Sequence, residues 1–266
     1  MKIFIITMDD PLYTIPFIRE IINARKESII GLAVTKGDRM TIGHNKSKLL
    51  YLISLFLIMG LPYFISNSYT TLKFKLKKKL SKYNFIKSPS ILSYAEEEGI
   101  KTYKIKTPNS KSFLMSLERS KPDLIISQSQ SILKGPLLSI PSIGTLNRHN
   151  ALLPKNRGRL TPFWVLYNQE KETGVSIHFV NERIDSGPIV LQEKYNVSKK
   201  DTFKTLVNKN YEIAPKLMLQ AINLLEEGFT DFIENDDNKA TTNSTPSLKE
   251  AWVYRKRIIL RRCKKE

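Results

Sequence analysis

Residues 144–187 read GTLNRHNALLPKNRGRLTPFWVLYNQEKETGVSIHFVNERIDSG. Gly144–Asn147 is a short strand ending in a carboxamide, and His149 stands two residues further on. Ala151-Leu152-Leu153-Pro154 carries the chain into a basic turn, Arg157-Gly158-Arg159. Glu172-Thr173-Gly174 opens a strand that alternates from Val175 to Val180, and Asp185-Ser186-Gly187 closes the stretch in a turn. A carboxamide, an imidazole and a carboxylate at strand ends and in turns are the groups that acyl transfer to an amine requires. They supply a donor to the tetrahedral oxyanion, a group that exchanges the amine's proton, and a charge that orients the imidazole. Taken singly, Asn-x-His is more often a loop pair bonded to its own backbone, and Asp-Ser-Gly an Asx turn. The ordered set is what carries the chemistry.

The flanking sequence supplies a scaffold. Lys2–Ile6 and Ile29–Val34 are continuous apolar runs of the kind buried on both faces of a parallel sheet, with a helical pattern at Ile15, Ile18, Ile21 and Ile22 between them. Ser90 caps a helix that reaches Glu98 and stops at Gly99. Lys101–Ile105 and Asp123–Ser127 are further strands, with a helix over Ser112–Arg119. After Ile189–Gln192 a helical stretch runs from Asp201 to Glu227, broken or restarted at Pro215. Alternating strands and helices predict an α/β fold with a doubly wound, mostly parallel sheet, whose ligands bind beyond the carboxyl ends of the strands. The expected organisation is a catalytic domain over 1–232, interrupted by a hydrophobic and basic insertion over 40–90. A polar linker and basic tail follow over 233–266.

The chain has 266 residues, 41% of them hydrophobic, which suits a globular core. Its one cysteine, Cys263, leaves no internal disulfide framework and fits a reducing, cytoplasmic setting. The three histidines have no partners at ligand spacing, so no metal site is expected. The start, MKIFIITMDD, reads as a first strand and lacks the longer apolar core of a signal peptide. A net charge of +18 favours an anionic partner or reflects lysine used as a general solubiliser.

The signature Asn147-x-His149-x-x-Leu152-Leu153-Pro154, Arg157-Gly158, Glu172-Thr173-Gly174-Val175-x-Ile177-His178 and Asp185-Ser186-Gly187 resembles that of the formyltransferases that use 10-formyltetrahydrofolate. The resemblance extends upstream through Pro122–Ile126 and Gln130–Leu133, and more weakly to the first strand and helix. It implies a Rossmann-like formyltransferase fold and catalytic roles for Asn147, His149 and Asp185. It also implies folate contacts from Gln130, Ile132, Leu133, Asn181 and Ile184, with 10-formyltetrahydrofolate as co-substrate and no metal. His178, on the alternating strand, is read as structural. Ala151 stands where the family often has Ser.

The insertion sets this chain apart. Leu49–Ile65 is apolar apart from Ser54, Gly60 and Pro62, and Lys73–Lys87 holds seven lysines among Leu, Phe, Tyr and Ile. No Asp or Glu occurs from Arg39 to Ala95. The apolar run falls short of the ~20 residues of a membrane span. Three readings stay open: a buried helix or a contact between two copies of the chain, an in-plane helix on an anionic membrane surface through residues 49–87, or a grip on RNA phosphates. The last is disfavoured because the aromatics form no stacking motif.

Among the acceptors such enzymes use, Asn150 directly after His149 looks most like the amino-sugar enzymes of surface-polysaccharide pathways. A nucleotide-linked amino sugar is therefore the expected substrate, met by Asn150, Lys155, Arg157 and Arg159, at the cytoplasmic face of the membrane. The alternatives are glycinamide ribonucleotide and methionyl-tRNA; the latter's enzymes carry a C-terminal barrel, for which the stretch after Phe232 is short. A catalytically silent binding protein on the same fold is the non-enzyme alternative.

Overall fold

The first half of the chain runs β1 (Ile3–Met8), α1 (Thr14–Arg25), β2 (Ile29–Thr35), α2 (Lys48–Met59), α3 (Leu61–Leu80), α4 (Ile91–Glu97), β3 (Thr102–Ile105), α5 (Lys111–Ser120) and β4 (Leu124–Ser127). It continues through α6 (Gly135–Leu138), β5 (Gly144–His149), β6 (Arg157–Gly158), α7 (Thr161–Tyr167), β7 (Glu172–Phe179), β8 (Ile189–Asn196), α8 (Phe203–Glu226), β9 (Thr242–Asn243) and α9 (Leu248–Cys263). This computed structural model describes residues 1–35 and 47–263; the start of the expected insertion, 40–46, lies outside them.

Seven strands form one sheet in the order β3-β2-β1-β4-β5-β7-β8. β3 to β5 are parallel, and β7 runs antiparallel to both β5 and β8. The expected mostly parallel α/β sheet is what the chain forms. β1 is buried at every residue, and strand alternation divides it between two cores. Ile3 and Ile5 join Ile18, Ile22, Met218 and Ile222 under α1 and α8, while Phe4 and Ile6 join Phe113 and Leu117 of α5 on the other face.

Local signals account for the helix ends. Ser90 Oγ accepts from the Leu92 amide at 3.3 Å, and Gly99 takes φ +76° beyond α4. Thr202 opens α8 with a capping box. The helix then continues through Pro215 without a break, contrary to the expected interruption. Eleven of its residues are buried against the sheet and α1, and that packing outweighs one lost backbone hydrogen bond.

The apolar insertion is two helices. Gly60, at φ +78°, ends α2, and Pro62 sits in the first turn of α3. Arg255 of α9 donates from Nε to the Leu57 carbonyl at 2.6 Å, satisfying a carbonyl at the end of α2. Leu57 and Ile58 pack with Phe163, Trp164, Val207 and Tyr254 in a third cluster.

Residues 233–247 differ from the expected linker. Ile233 bridges to Ile189, β9 pairs in parallel with β6, and the Ser244 carbonyl accepts from Trp164 Nε1 at 3.0 Å. Their polarity serves hydrogen bonds to the body, which composition alone does not distinguish from solvation.

Gly174 fits where nothing larger does, since a Cβ there would lie 2.0 Å from the Glu193 carbonyl oxygen on β8. Gly174→Ala is expected to lower unfolding stability by about 1–3 kcal/mol, the range for overpacking a tight site. Urea titration followed by circular dichroism checks it.

Candidate active site

Pairing register brings the site together. β5 lies between β4 and β7, with Asn147 beside Ser127 on one side and His178 on the other. Alternation along β5 sends Asn147 and His149 to one face and Arg148 to the opposite one.

Asn147 is held at both ends of its amide. Its Oδ1 accepts from Gln128 Nε2 at 2.8 Å, which turns Nδ2 toward His178 Nε2 at 3.4 Å. The His178 Nδ1–H donates to its neighbour's carbonyl, Phe179 O, at 2.8 Å, leaving Nε2 as the acceptor. Burial pushes the His178 pKa down to about 4, with the charge of Asp185 working against that fall and His149 adding to it. A neutral, fixed His178 therefore orients the carboxamide.

His149, also buried, donates from Nε2 to the Asn156 carbonyl at 2.7 Å, and its Nδ1 faces Asp185 Oδ2 at 3.4 Å. Asp185 adopts φ +46°, a left-handed conformation that Asp tolerates better than most residues. Its Oδ2 accepts from the Gly158 amide at 2.8 Å, and its Oδ1 lies 3.7 Å from His178 Nε2. Asn235 secures the loop by donating from Nδ2 to the carbonyls of Asp185 and Gly187, each at 2.9 Å. Asn156 is pinned in turn by Glu170, Thr241 and Asn243. An amide N–H, an imidazole and a carboxylate thus converge at the carboxyl end of β5, a set able to supply a hydrogen-bond donor and a proton acceptor to a bound substrate.

The residues expected to meet a folate sit on two neighbouring loops. Gly135 N donates to Glu182 Oε1 at 2.8 Å and ties the loop before α6 to that after β7. Ile132 and Ile184 are exposed on these loops, and Gln130 is exposed beside Ile132. Exposed apolar side chains of this kind suit the face of a flat ring. Leu133 is buried in the second core cluster, so its expected contact falls to the main chain alone. Asn181 Oδ1 accepts from Arg183 N and Ser186 Oγ and shapes the turn that delivers Asp185.

On the opposite loop Lys155 and Arg159 are exposed. Arg157 is enclosed instead: Nη1 pairs with Asp237 at 2.7 Å, and Nη2 donates to Asn235 Oδ1 at 2.7 Å. This corrects the expectation of a contact with substrate, because the guanidinium joins the turn to the C-terminal segment. Asn150 Oδ1 is buried without a protein partner among the described residues. Gln128, Asn156 and Asn235 were not legible in the sequence as site residues; each acts through a partner 7 to 50 positions away. No cluster able to hold a metal occurs among the described residues.

The family model described as Formyl transferase matches residues 74–222, more than half of the chain. A methionyl-tRNA formyltransferase from Kosmotoga olearia is 36% identical over 148 residues, 55% of this chain and 48% of that protein. One from Prochlorococcus marinus is 38% identical over 154 residues, 57% and 47% of the two. The chain spans about half the length of these curated relatives. In solved structures, glycinamide ribonucleotide transformylase 1 from Symbiobacterium toebii superposes with a TM-score of 0.59 at 17% identity, over 89% of this chain and 95% of that one. An N-formyltransferase from Helicobacter canadensis, solved with folinic acid and dTDP-3-aminofucose, gives 0.51 at 16% identity, over 92% and 71%. Both likenesses concern the fold.

The depressed pKa of His178 sets a pH dependence. Between its ordinary value of 6.5 and about 4 the unfolded chain binds a proton that the folded chain refuses. The stability His178 contributes is complete above pH 6.5 and is lost as pH falls toward 4. Melting temperature is expected to fall across that window, and His178→Gln to flatten this part of the curve; an unchanged profile in the variant would assign the fall elsewhere.

Proposed function

The chain belongs to the formyl transferase family, and on that premise we propose that it moves the formyl group of 10-formyltetrahydrofolate to a primary amine. The observation that carries the proposal is the convergence of Asn147, His149 and Asp185 beside the two loops bearing Ile132 and Ile184. The amine nitrogen bonds to the formyl carbon and the carbonyl electrons pass to oxygen. Asn147 Nδ2–H donates to that oxyanion, while His149 Nδ1, its partner nitrogen being the donor to Asn156 O, is the free acceptor for the amine's proton. Collapse breaks the bond to N10 of the folate, and the amine's proton passes by way of His149 Nδ1 to the departing nitrogen. Asp185, facing His149 Nδ1 at 3.4 Å, orients the imidazole and balances the charge it gains with that proton. Gln130, Ile132, Ile184 and the main chain at Leu133 cover the pterin, and Asn181 shapes the wall.

For the acceptor, the similarity to methionyl-tRNA formyltransferases supports the aminoacyl amine of methionyl-tRNA as the first reading, reversing the order expected from the sequence. The net charge of +18 suits such a polyanion. The nucleotide-linked amino sugar remains the second reading, favoured by the unpartnered buried acceptor Asn150 Oδ1 beside His149. That atom suits a sugar hydroxyl, with the exposed Lys155 nearby in the chain to meet a diphosphate.

The test incubates the protein with 10-formyltetrahydrofolate and, separately, methionyl-tRNA, glycinamide ribonucleotide and several nucleotide-linked amino sugars. Tetrahydrofolate release is followed by absorbance and product by mass. One acceptor is expected to gain a formyl group, and His149→Ala to slow that turnover roughly a hundred- to thousandfold with the fold intact. Failure to bind tetrahydrofolate, or full activity in His149→Ala, contradicts the proposal.

A further inference from the structure

α3 presents two opposed faces. The inward one is built from Tyr63, Asn67, Phe74 and Lys78. Tyr63 and Asn67 reach the Tyr13 hydroxyl at 3.0 and 3.4 Å, Phe74 packs on the main core, and Lys78 pairs with Asp9 at the end of β1. At about 100° per residue, the face opposite carries Leu61, Ile65, Tyr69, Leu72, Leu76 and Leu80. These six repeat at spacings of four, four, three, four and four, and are 37–67% exposed. A stripe of this kind ordinarily faces a core; here it points straight out of the molecule.

Its surroundings select what covers it. Lys73, Lys75 and Lys79 flank the stripe and are exposed, and Lys77 and Lys82 extend the basic surface. No acidic residue occurs between Arg39 and Ala95 to offset them. In a contact between two copies of α3, lysine would stand against lysine with no carboxylate on either stripe. Five of the six stripe residues are aliphatic, which gives nucleic-acid bases little to stack on. An anionic bilayer satisfies both features at once, since acyl chains take the leucines while phosphate headgroups take the lysines. α2 extends the same character through exposed Leu49, Leu52, Ile53 and Phe56, and Phe56 meets Phe64 of α3 edge to face at 5.6 Å between centroids. No described helix is long and apolar enough to cross a membrane, so the helix would lie in the plane of the surface.

We propose that α3 docks the protein on an anionic phospholipid surface through the stripe Leu61–Leu80 and its flanking lysines. This rests on the insertion alone and holds whichever amine is formylated.

The test is co-sedimentation of the full chain with vesicles of phosphatidylglycerol or of phosphatidylcholine. Binding to the former and not the latter is expected, weakening in high salt. Lys75→Glu with Lys79→Glu, and separately Leu72→Ser with Leu76→Ser, are expected to lower the partition coefficient. The loss for the charge variant is about fivefold or more per lysine. Circular dichroism and formyl transfer to a soluble acceptor should stay unchanged, because all four side chains face away from the body. Equal binding to both vesicle types, or undiminished binding by both variants, overturns the proposal. So does a concentration-dependent dimer that the leucine variant abolishes, or a loss of tRNA binding in the lysine variant without loss of vesicle binding.

Discussion

The carboxylate of Asp185 is the point on which the site depends. It faces His149 Nδ1 at 3.4 Å and His178 Nε2 at 3.7 Å, and accepts from the Gly158 amide at 2.8 Å. Three separate stretches of chain, the end of β5, the β6 turn and β7, are thereby fixed relative to one charge. Holding it there requires a left-handed residue at 185 and two hydrogen bonds from Asn235 to the loop's carbonyls. A group in that conformation persists because its surroundings over-determine it. Displacing the loop would release the orientation of His149 and, through His178, that of the Asn147 amide.

This dependence explains why the C-terminal segment is folded onto the catalytic body. Asn235 holds the loop of Asp185, Asp237 pairs with Arg157, and Thr241 and Asn243 hold Asn156, whose carbonyl receives His149 Nε2–H. From there α9 reaches α2, where Arg255 accommodates the end of the insertion's first helix. The insertion is thus braced from both sides, by α9 at α2 and by Asp9 and Tyr13 at α3. Such bracing leaves the outer face of α3 free to carry apolar residues that the core does not use.

What the sequence disclosed follows the range of each interaction. The strands, the cap at Ser90 and the stop at Gly99 were legible because their causes lie within a few residues. The grouping of Asn147, His149 and Asp185 was legible because their order resembles that of a family, and the register of β5 brings the first two to one face. Gln128, Asn156 and Asn235 were not, because an amide side chain announces no role until its partner arrives from a distant segment. Pro215 misled for a related reason: local propensity opposes helix there, and burial along α8 overrides it. The polar stretch 236–247 likewise looks the same whether its donors meet water or the body.

The most direct test of the Asp185 account is a double-mutant cycle on single-turnover formyl transfer, comparing His149→Ala, Asp185→Ala and the pair. Residues acting as one unit lose the same function whichever is removed, so the double variant should be scarcely slower than the slower single one. Losses that multiply would show that Asp185 and His149 act independently, and would contradict the account.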